Sequence, residues 1–349
     1  MPELRLLPLL GIPEVQADDD LAALVVTAAA RSCGGLEDGD VVVVSSKVVS
    51  KAAGLWADSS DRTAAVAAQS VRVVAERMTG ERVTRIVQSV AGPVMAAAGV
   101  DTSNTGGREE VLLLPLDPDG HAEALRQGLL AATGLSRVGV VLSDTAGRPW
   151  RFGQVDFALG ASGVGVVDDL RGGVDADGKP LNVTARALGD ELAAAADLVK
   201  GKVEAVPAAV LRGSAWALPE RGPGAMALVR VGREDWFDLG RAEAVRAALG
   251  VAPGSAAAEA VGIPSVVPEP ASVRVERAVA VALLPFDSRA DTSEAGVVDV
   301  SAATAFQTGA VAARLRAALW GEGFDSAFEG EAFEGESEDW HARVRWSER

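Results

Sequence analysis

The stretch Val138–Gln154, VGVVLSDTAGRPWRFGQ, opens as an apolar strand and runs without a break into an acid, a hydroxyl, a glycine and two arginines. A short apolar run that ends in turn residues fits a strand buried on both faces. Its polar end has two readings. One is a charged surface turn, with Arg148 and Arg151 stacking or pairing around Trp150. The other is a site in which Asp144 and Thr145 offer hard oxygens to a divalent cation while the arginines present forked donors to phosphate.

The bulk properties narrow the choice. A chain of 349 residues suits two domains, because single cores stop growing at about 250–300 residues. The formal net charge of −16 argues against a general nucleic-acid binder, which needs many Lys and Arg on one face. An anionic small substrate is compatible with that charge if it binds in a local basic pocket. Part of the charge is local, since Glu322–Asp339 holds eight acids and no base and reads as an acidic tail. Cys33 is the only cysteine, so neither an internal disulfide nor a cysteine zinc site can form. The opening MPELRLLPLLGIPE lacks a basic n-region and is broken by prolines, so it reads as a first strand rather than a signal peptide. No segment reaches the ~18–20 apolar residues of a membrane span, and a cytoplasmic location is expected.

Along the chain, Asp18, Asp19 and Asp20 offer N-cap oxygens to a helix that stops at Gly34–Gly35, and VVVVSSK is a buried strand ending in Lys47. Helices are expected over Asp61–Met78, after the LDPDG turn up to Gly134, over Leu181–Lys200 and over Ala303–Leu319. Short strands are expected at 83–90, 94–97, 111–114, 137–143, 205–211, 225–231 and 273–284, with 250–275 a loop or linker rich in Pro, Ala and Ser. Helices and strands mix without a regular βαβ repeat, which favours α+β with a mixed sheet. The expected division is 1–235 and 236–349, the second part being a small α/β extension with the acidic tail.

Common signatures are missing. There is no G-x-x-x-x-G-K-[ST] loop, and LGASGVGVVDD has its glycines in the wrong order for a dinucleotide fingerprint. With only His121 and His341, a multi-histidine metal site is excluded and a Ser-His-Asp triad is poorly supported. What remains is oxygen chemistry: Asp101–Asn104 and Ser143–Thr145 each set a carboxylate beside hydroxyl or amide groups, with Lys47 and Lys51 as point charges. The same types also serve as turns, caps and solvated lysines. The residues by themselves support metal-dependent phosphate chemistry and go no further.

Taken in order, LLGIPEVQADDDLA, LEDGDVVVVSSKVVSKAAG, AAGVDTSN, GVVLSDTAGRPWRFGQVDFALGASG and LGDELAAAADLVKGK resemble the coenzyme F420-0:L-glutamate ligase (F420-0:gamma-glutamyl ligase) family over roughly residues 4–235. The resemblance implies a GTP-dependent ligase that joins L-glutamate to the phospholactyl carboxylate of a deazaflavin coenzyme, releasing GDP and phosphate. It implies an intertwined homodimer of α+β fold and a Mg²⁺ or Mn²⁺ site at Asp101, Asp144 and Thr145, and it allows a monovalent K⁺ ion. Its nucleotide contacts fall on Gly11, Ile12, Pro13, Glu14, Ser46, Lys51 and Asn104. Lys47, Arg148 and Arg151 lie within the matched motifs and are assigned to phosphate or substrate by charge, which makes Asp144, Arg148 and Arg151 the expected catalytic group. The alternative is an inactive relative that binds coenzyme or nucleotide without turnover. Two features depart from the family. Lys202 stands where some members place a metal-binding Glu, with Glu204 nearby, and the last 114 residues lack the arginine-rich flavin stretch of the two-domain relatives, so FMN is not expected.

Overall fold

In the computed structural model, which describes residues 3–330, 333–334 and 339–349, the chain divides into two compact units. The first comprises 1–71 and 88–234, the second 72–87 and 235–349. Residues 72–87 therefore pack with the C-terminal unit, although the expected division placed them before 235.

The first unit is built on one mixed sheet. Its strands are β1 (Arg5–Pro8), β2 (Val41–Ser45), β8 (Gly139–Arg148), β9 (Arg151–Ser162) and β12 (Ala208–Arg212), in the order β1-β12-β2-β8-β9. Only β2 and β8 run parallel. The helices α1 (Leu21–Cys33) and α4 (Pro118–Thr133) cover one face, and α5 (Leu188–Asp197) covers the other. Two covered faces explain why VVVV shows no alternation. Val42 and Val44 pack toward α1 and α4, while Val41 and Val43 pack toward α5. Of the three acids offered as caps for α1, Asp20 takes the role and accepts from the Ala23 amide at 3.0 Å, while α4 is capped by Asp117, which accepts from Gly120 at 2.9 Å. Gly34 ends α1 at φ +78°.

The smaller elements of this unit are α2 (Ser46–Ala52), β3 (Trp56–Asp58), α3 (Arg62–Ala68), β6 (Val94–Ala96), β7 (Glu110–Leu112), β10 (Asp168–Asp169) and β11 (Ala185–Arg186). The strands β4 (Ser70–Thr79) and β5 (Arg82–Ser89) leave the unit at residue 72 and return at 87. The helix expected over 61–78 thus stops at Ala68. Val71, Val73 and Val74 favour extended backbone, and Gly80 at φ +61° closes the hairpin. The helix expected from Leu181 begins only at Leu188, because Ala185–Arg186 pair with Asp168–Asp169 in a short two-stranded arm. The strand expected at 225–231 is instead a 3₁₀ turn at Ala225–Leu228.

The second unit holds α6 (Arg241–Ala248), α7 (Ala256–Val261), α8 (Ala271–Leu283), β13 (Ser288–Asp291), β14 (Val297–Ala302), α9 (Ala305–Gly321), β15 (Phe324–Phe328), β16 (Phe333–Glu334) and β17 (Trp340–Glu348). Its sheet is antiparallel, in the order β13-β14-β17-β15, with β16 on β17. The strand expected at 273–284 is α8, which buries Val275, Ala278, Val281 and Ala282 at helical spacing. The linker expected at 250–275 contains α7, capped by Ser255. The acidic stretch is not one solvated tail. Glu322 is buried against Arg277 and Phe324 lies in the core, while Glu331, Glu336 and Glu338 lie outside the described residues.

Candidate active site

The opening motif is strand almost to its end. β8 continues through Asp144 and Thr145 to Arg148 and pairs back along β9, with Thr145 opposite Asp156 and Arg148 opposite Arg151. The expected glycine turn is absent: the connection is Pro149–Trp150, and Trp150 rather than Gly147 takes a positive φ, +58°. A register shift between Leu142 and Ser143 marks where the buried strand becomes the site.

A cleft opens beyond the C-terminal ends of the parallel pair β2–β8. Ile12, Pro13, Glu14, Lys47, Lys51, Asn104, Asp144 and Thr145 all line it, so four separate stretches of sequence meet there. A much smaller cavity adjoins it, lined by Ser46, Lys47, Ser50, Asp101 and Asp144 together with Gly99 and Leu112, Leu113 and Leu114. Lys47 and Asp144 border both spaces. One helical turn separates Lys47 from Lys51, and another separates Ser46 from Ser50. α2 thus turns its lysines to the cleft and its serines to the inner cavity. Gly11 lies beside the cleft rather than in its wall, and Arg148 and Arg151 stand exposed at the hairpin end, away from both spaces.

The electrostatics follow from these placements. Lys47 Nζ sits 2.6 Å from Asp101 Oδ2 and donates to Ser103 Oγ at 2.6 Å. Burial would raise the Asp101 carboxyl, but the bonds from Lys47 and the Ser103 amide outweigh it and hold the group below its ordinary value. Asp144 makes no ion pair among the described residues. Burial, with further pushes from Asp101 and Asp156, moves it up to about 6 against the pull of the Thr145 amide and Lys47. Lys51 pairs with Glu14. Asn104, at φ +57°, donates to the Lys202 carbonyl at 3.2 Å.

The lining corrects one expectation. The cleft is not basic: Lys47, Lys51, Lys200 and Lys202 face Glu14, Asp144, Asp156 and Asp197. An anionic substrate gains little from a balanced wall, so a divalent cation would restore the missing attraction. The donors suit a hard cation. Asp101 and Asp144 are carboxylates on one small cavity, and the buried Ser46 and Ser50 hydroxyls beside them have no hydrogen-bond partner. Among the described residues no group of three or more His, Cys, Asp or Glu is placed to hold a metal ion, so a cation here would need substrate oxygens or water for most of its shell. Of the two residues at the departing loop, Lys202 lines the cleft.

The sequence reading missed Asp156, Lys200 and Asp197. Asp156 becomes legible only once β8 and β9 are paired around Pro149–Trp150 with a bulge, and Lys200 only once the helix end is set against that pair.

A family profile for F420-0:gamma-glutamyl ligase matches residues 10–213. The coenzyme F420:L-glutamate ligase of Halobacterium salinarum is 41% identical over 223 residues, spanning 58% of this chain and 84% of that protein. The protein of the same name from Archaeoglobus fulgidus is 40% identical over 221 residues, 59% of this chain and 86% of its own length. That of Haloarcula marismortui is 38% identical over 223 residues, 58% and 84%. With the profile covering more than half of it, the chain belongs to the F420-0:gamma-glutamyl ligase family.

Proposed function

We propose that the protein joins L-glutamate to coenzyme F420-0 in coenzyme F420 biosynthesis, consuming GTP and using a divalent cation. Family membership supports the ligase reaction. The observation that supports the finer reading is the junction of the two spaces, where Asp144 and Lys47 border both the cleft and a small inner cavity that also holds Asp101, Ser46 and Ser50.

A carboxylate is a poor acyl donor. The γ-phosphoryl group of GTP therefore moves first to the terminal carboxylate of the coenzyme, giving an acyl phosphate and GDP. The glutamate amine then attacks the acyl carbon, the C–O bond to phosphate breaks, and phosphate leaves. Phosphoryl transfer needs positioning and charge neutralisation more than covalent catalysis. A bound Mg²⁺ or Mn²⁺, held by Asp101 and Asp144 with the Thr145 hydroxyl, would supply Lewis-acid stabilisation of phosphoryl oxygens. Lys47 and Lys51 contribute fixed positive charge on the α2 side, and Ile12–Glu14 with Asn104 shape the nucleotide wall. Arg148 and Arg151 reach outward with the exposed Trp150 and Phe152, which suits a homodimer in which the hairpin end meets a second copy.

The test is mass spectrometry of coenzyme F420-0 incubated with the protein, glutamate, GTP and Mn²⁺. Products heavier by glutamyl units, with GDP release that depends on coenzyme, are expected. Binding of coenzyme or nucleotide with neither product would instead establish an inactive relative.

A further inference from the structure

Four acids line the cleft, and three of them have a partner or a place in the reading above. Glu14 pairs with Lys51, Asp156 pairs with Lys200 at 2.6 Å, and Asp144 borders the inner cavity. Asp197 differs. Its carboxylate makes no hydrogen bond or ion pair among the described residues, and the residue stands exposed on the cleft wall. It is the last residue of α5, where the helix dipole disfavours an acid, so it does not serve as a cap. Lys200 is close by, but its ammonium is taken by Asp156 and by Ser143 Oγ at 2.6 Å. Partial burial and the charge of Asp156 raise the Asp197 carboxyl above its ordinary value, against the pull of Lys200 and Lys202. The wall thus presents one uncommitted negative charge. Of the three substrates of the ligase reaction, the nucleotide and the coenzyme are anions, and only the incoming amino acid brings a positive group, its ammonium.

We propose that Asp197 receives the α-ammonium of the incoming glutamate and accepts its proton. The inference rests on the ligase reading given under Proposed function. An ammonium has no lone pair and cannot attack an acyl carbon. One N–H proton passes to the Asp197 carboxylate, and the freed lone pair forms the C–N bond. The C–O bond to phosphate breaks with its electron pair on phosphate, which also takes the second proton that nitrogen loses. Asp197 then returns its own proton to water. A carboxylate suits both stages, because its charge attracts the ammonium first and its oxygen holds the proton afterwards.

The test separates loss of the amine proton from phosphoryl transfer. Hydroxylamine is uncharged at neutral pH, so it intercepts an acyl phosphate as the hydroxamate without needing a base. The protein with coenzyme F420-0, GTP and Mn²⁺ receives either glutamate or hydroxylamine, and mass spectrometry measures each product. In Asp197→Asn, glutamyl transfer should fall by roughly 10²–10⁴-fold while the hydroxamate forms at the wild-type rate. Raising the pH should restore part of the glutamyl transfer, because more of the amine then arrives uncharged. Asp197→Ser should behave alike, and it takes the place of Asp197→Asn if thermal melts show that variant unfolded. Wild-type glutamyl transfer in either variant, or a folded variant that loses both products alike, would overturn the inference. A wild-type protein that makes neither product would overturn the ligase reading itself, and the inference with it.

Discussion

Thr145 and Asp156 face each other across the β8–β9 pair, the hydroxyl donating to the carboxylate at 2.7 Å. The chemistry of the motif is therefore mounted on paired strands, whose backbone bonds fix side-chain directions more tightly than a loop would. Thr145→Val keeps the shape and removes the donor, leaving a buried carboxylate oxygen without that bond. A loss of roughly 1–3 kcal/mol is expected in urea unfolding, and Thr145→Ser should recover most of it. Unchanged stability in Thr145→Val would show that water replaces the hydroxyl.

Asp144 links stability to pH. Its folded carboxyl is pushed up to about 6 by burial, so between about 4 and 6 the folded chain keeps a proton that the unfolded chain has lost. Stability from this group is present at low pH, falls as the pH rises through that window, and stays level above it. Asp144→Asn removes the buried charge. The metal-free variant should be more stable than wild type at pH 8 by about 1–2 kcal/mol, less than a shift of this size allows at full burial because the residue is partly exposed. Glutamyl transfer should meanwhile fall by roughly 10²–10³-fold. Thermal melts from pH 4 to 8 alongside the ligation assay separate the two effects. A variant that is both less stable and fully active would contradict the assignment.

How much of this was legible in sequence depends on range. The valines of β2, the Asp20 cap and the Gly34 stop are local signals, and each lies where the residues suggested. The errors share a cause. Residues 70–79 and 271–283 are rich in Val and Ala, and side-chain pattern alone separates strand from helix poorly in such segments. There the hairpin partner and the sheet below decided. In the site, the resemblance pointed to residues of the cleft, but the Asp156–Lys200 pair depends on residues 44 positions apart and has no local signal. Arg148 and Arg151 show the converse: their charge was legible, and their exposed place at the hairpin end, outside the lining of the cleft, was not.

The hairpin end gives a prediction about assembly. Trp150 is 83% exposed and Phe152 is fully exposed, beside two arginines, which is the composition of an interface hot spot. Trp150→Ser with Phe152→Ser should turn a dimer into a monomer in sedimentation velocity without changing the far-ultraviolet circular dichroism. A dimer that persists would place the contact elsewhere.

In the second unit, the guanidinium of Arg277 lies between two acids, 2.7 Å from Glu269 Oε2 and 2.8 Å from Glu322 Oε2, and joins the start of α8 to the end of α9. Its side chain is 5% exposed and that of Glu322 is 7% exposed. Burial would lower the Arg277 pKa, but the bonds to the two carboxylates raise it, so the group stays charged throughout the accessible range. Arg277→Met strands two acids in a low-dielectric setting, and a loss of about 3–5 kcal/mol is expected. If stranded charge is the cause, adding Glu269→Gln and Glu322→Gln should restore much of that loss, because the cost of an unpaired buried ion exceeds the net worth of the pair. If lost packing is the cause, the triple variant should be no more stable than the single one. Urea unfolding followed by circular dichroism distinguishes the two, and the first result would show that the acidic stretch beginning at Glu322 is anchored by charge at its first residue.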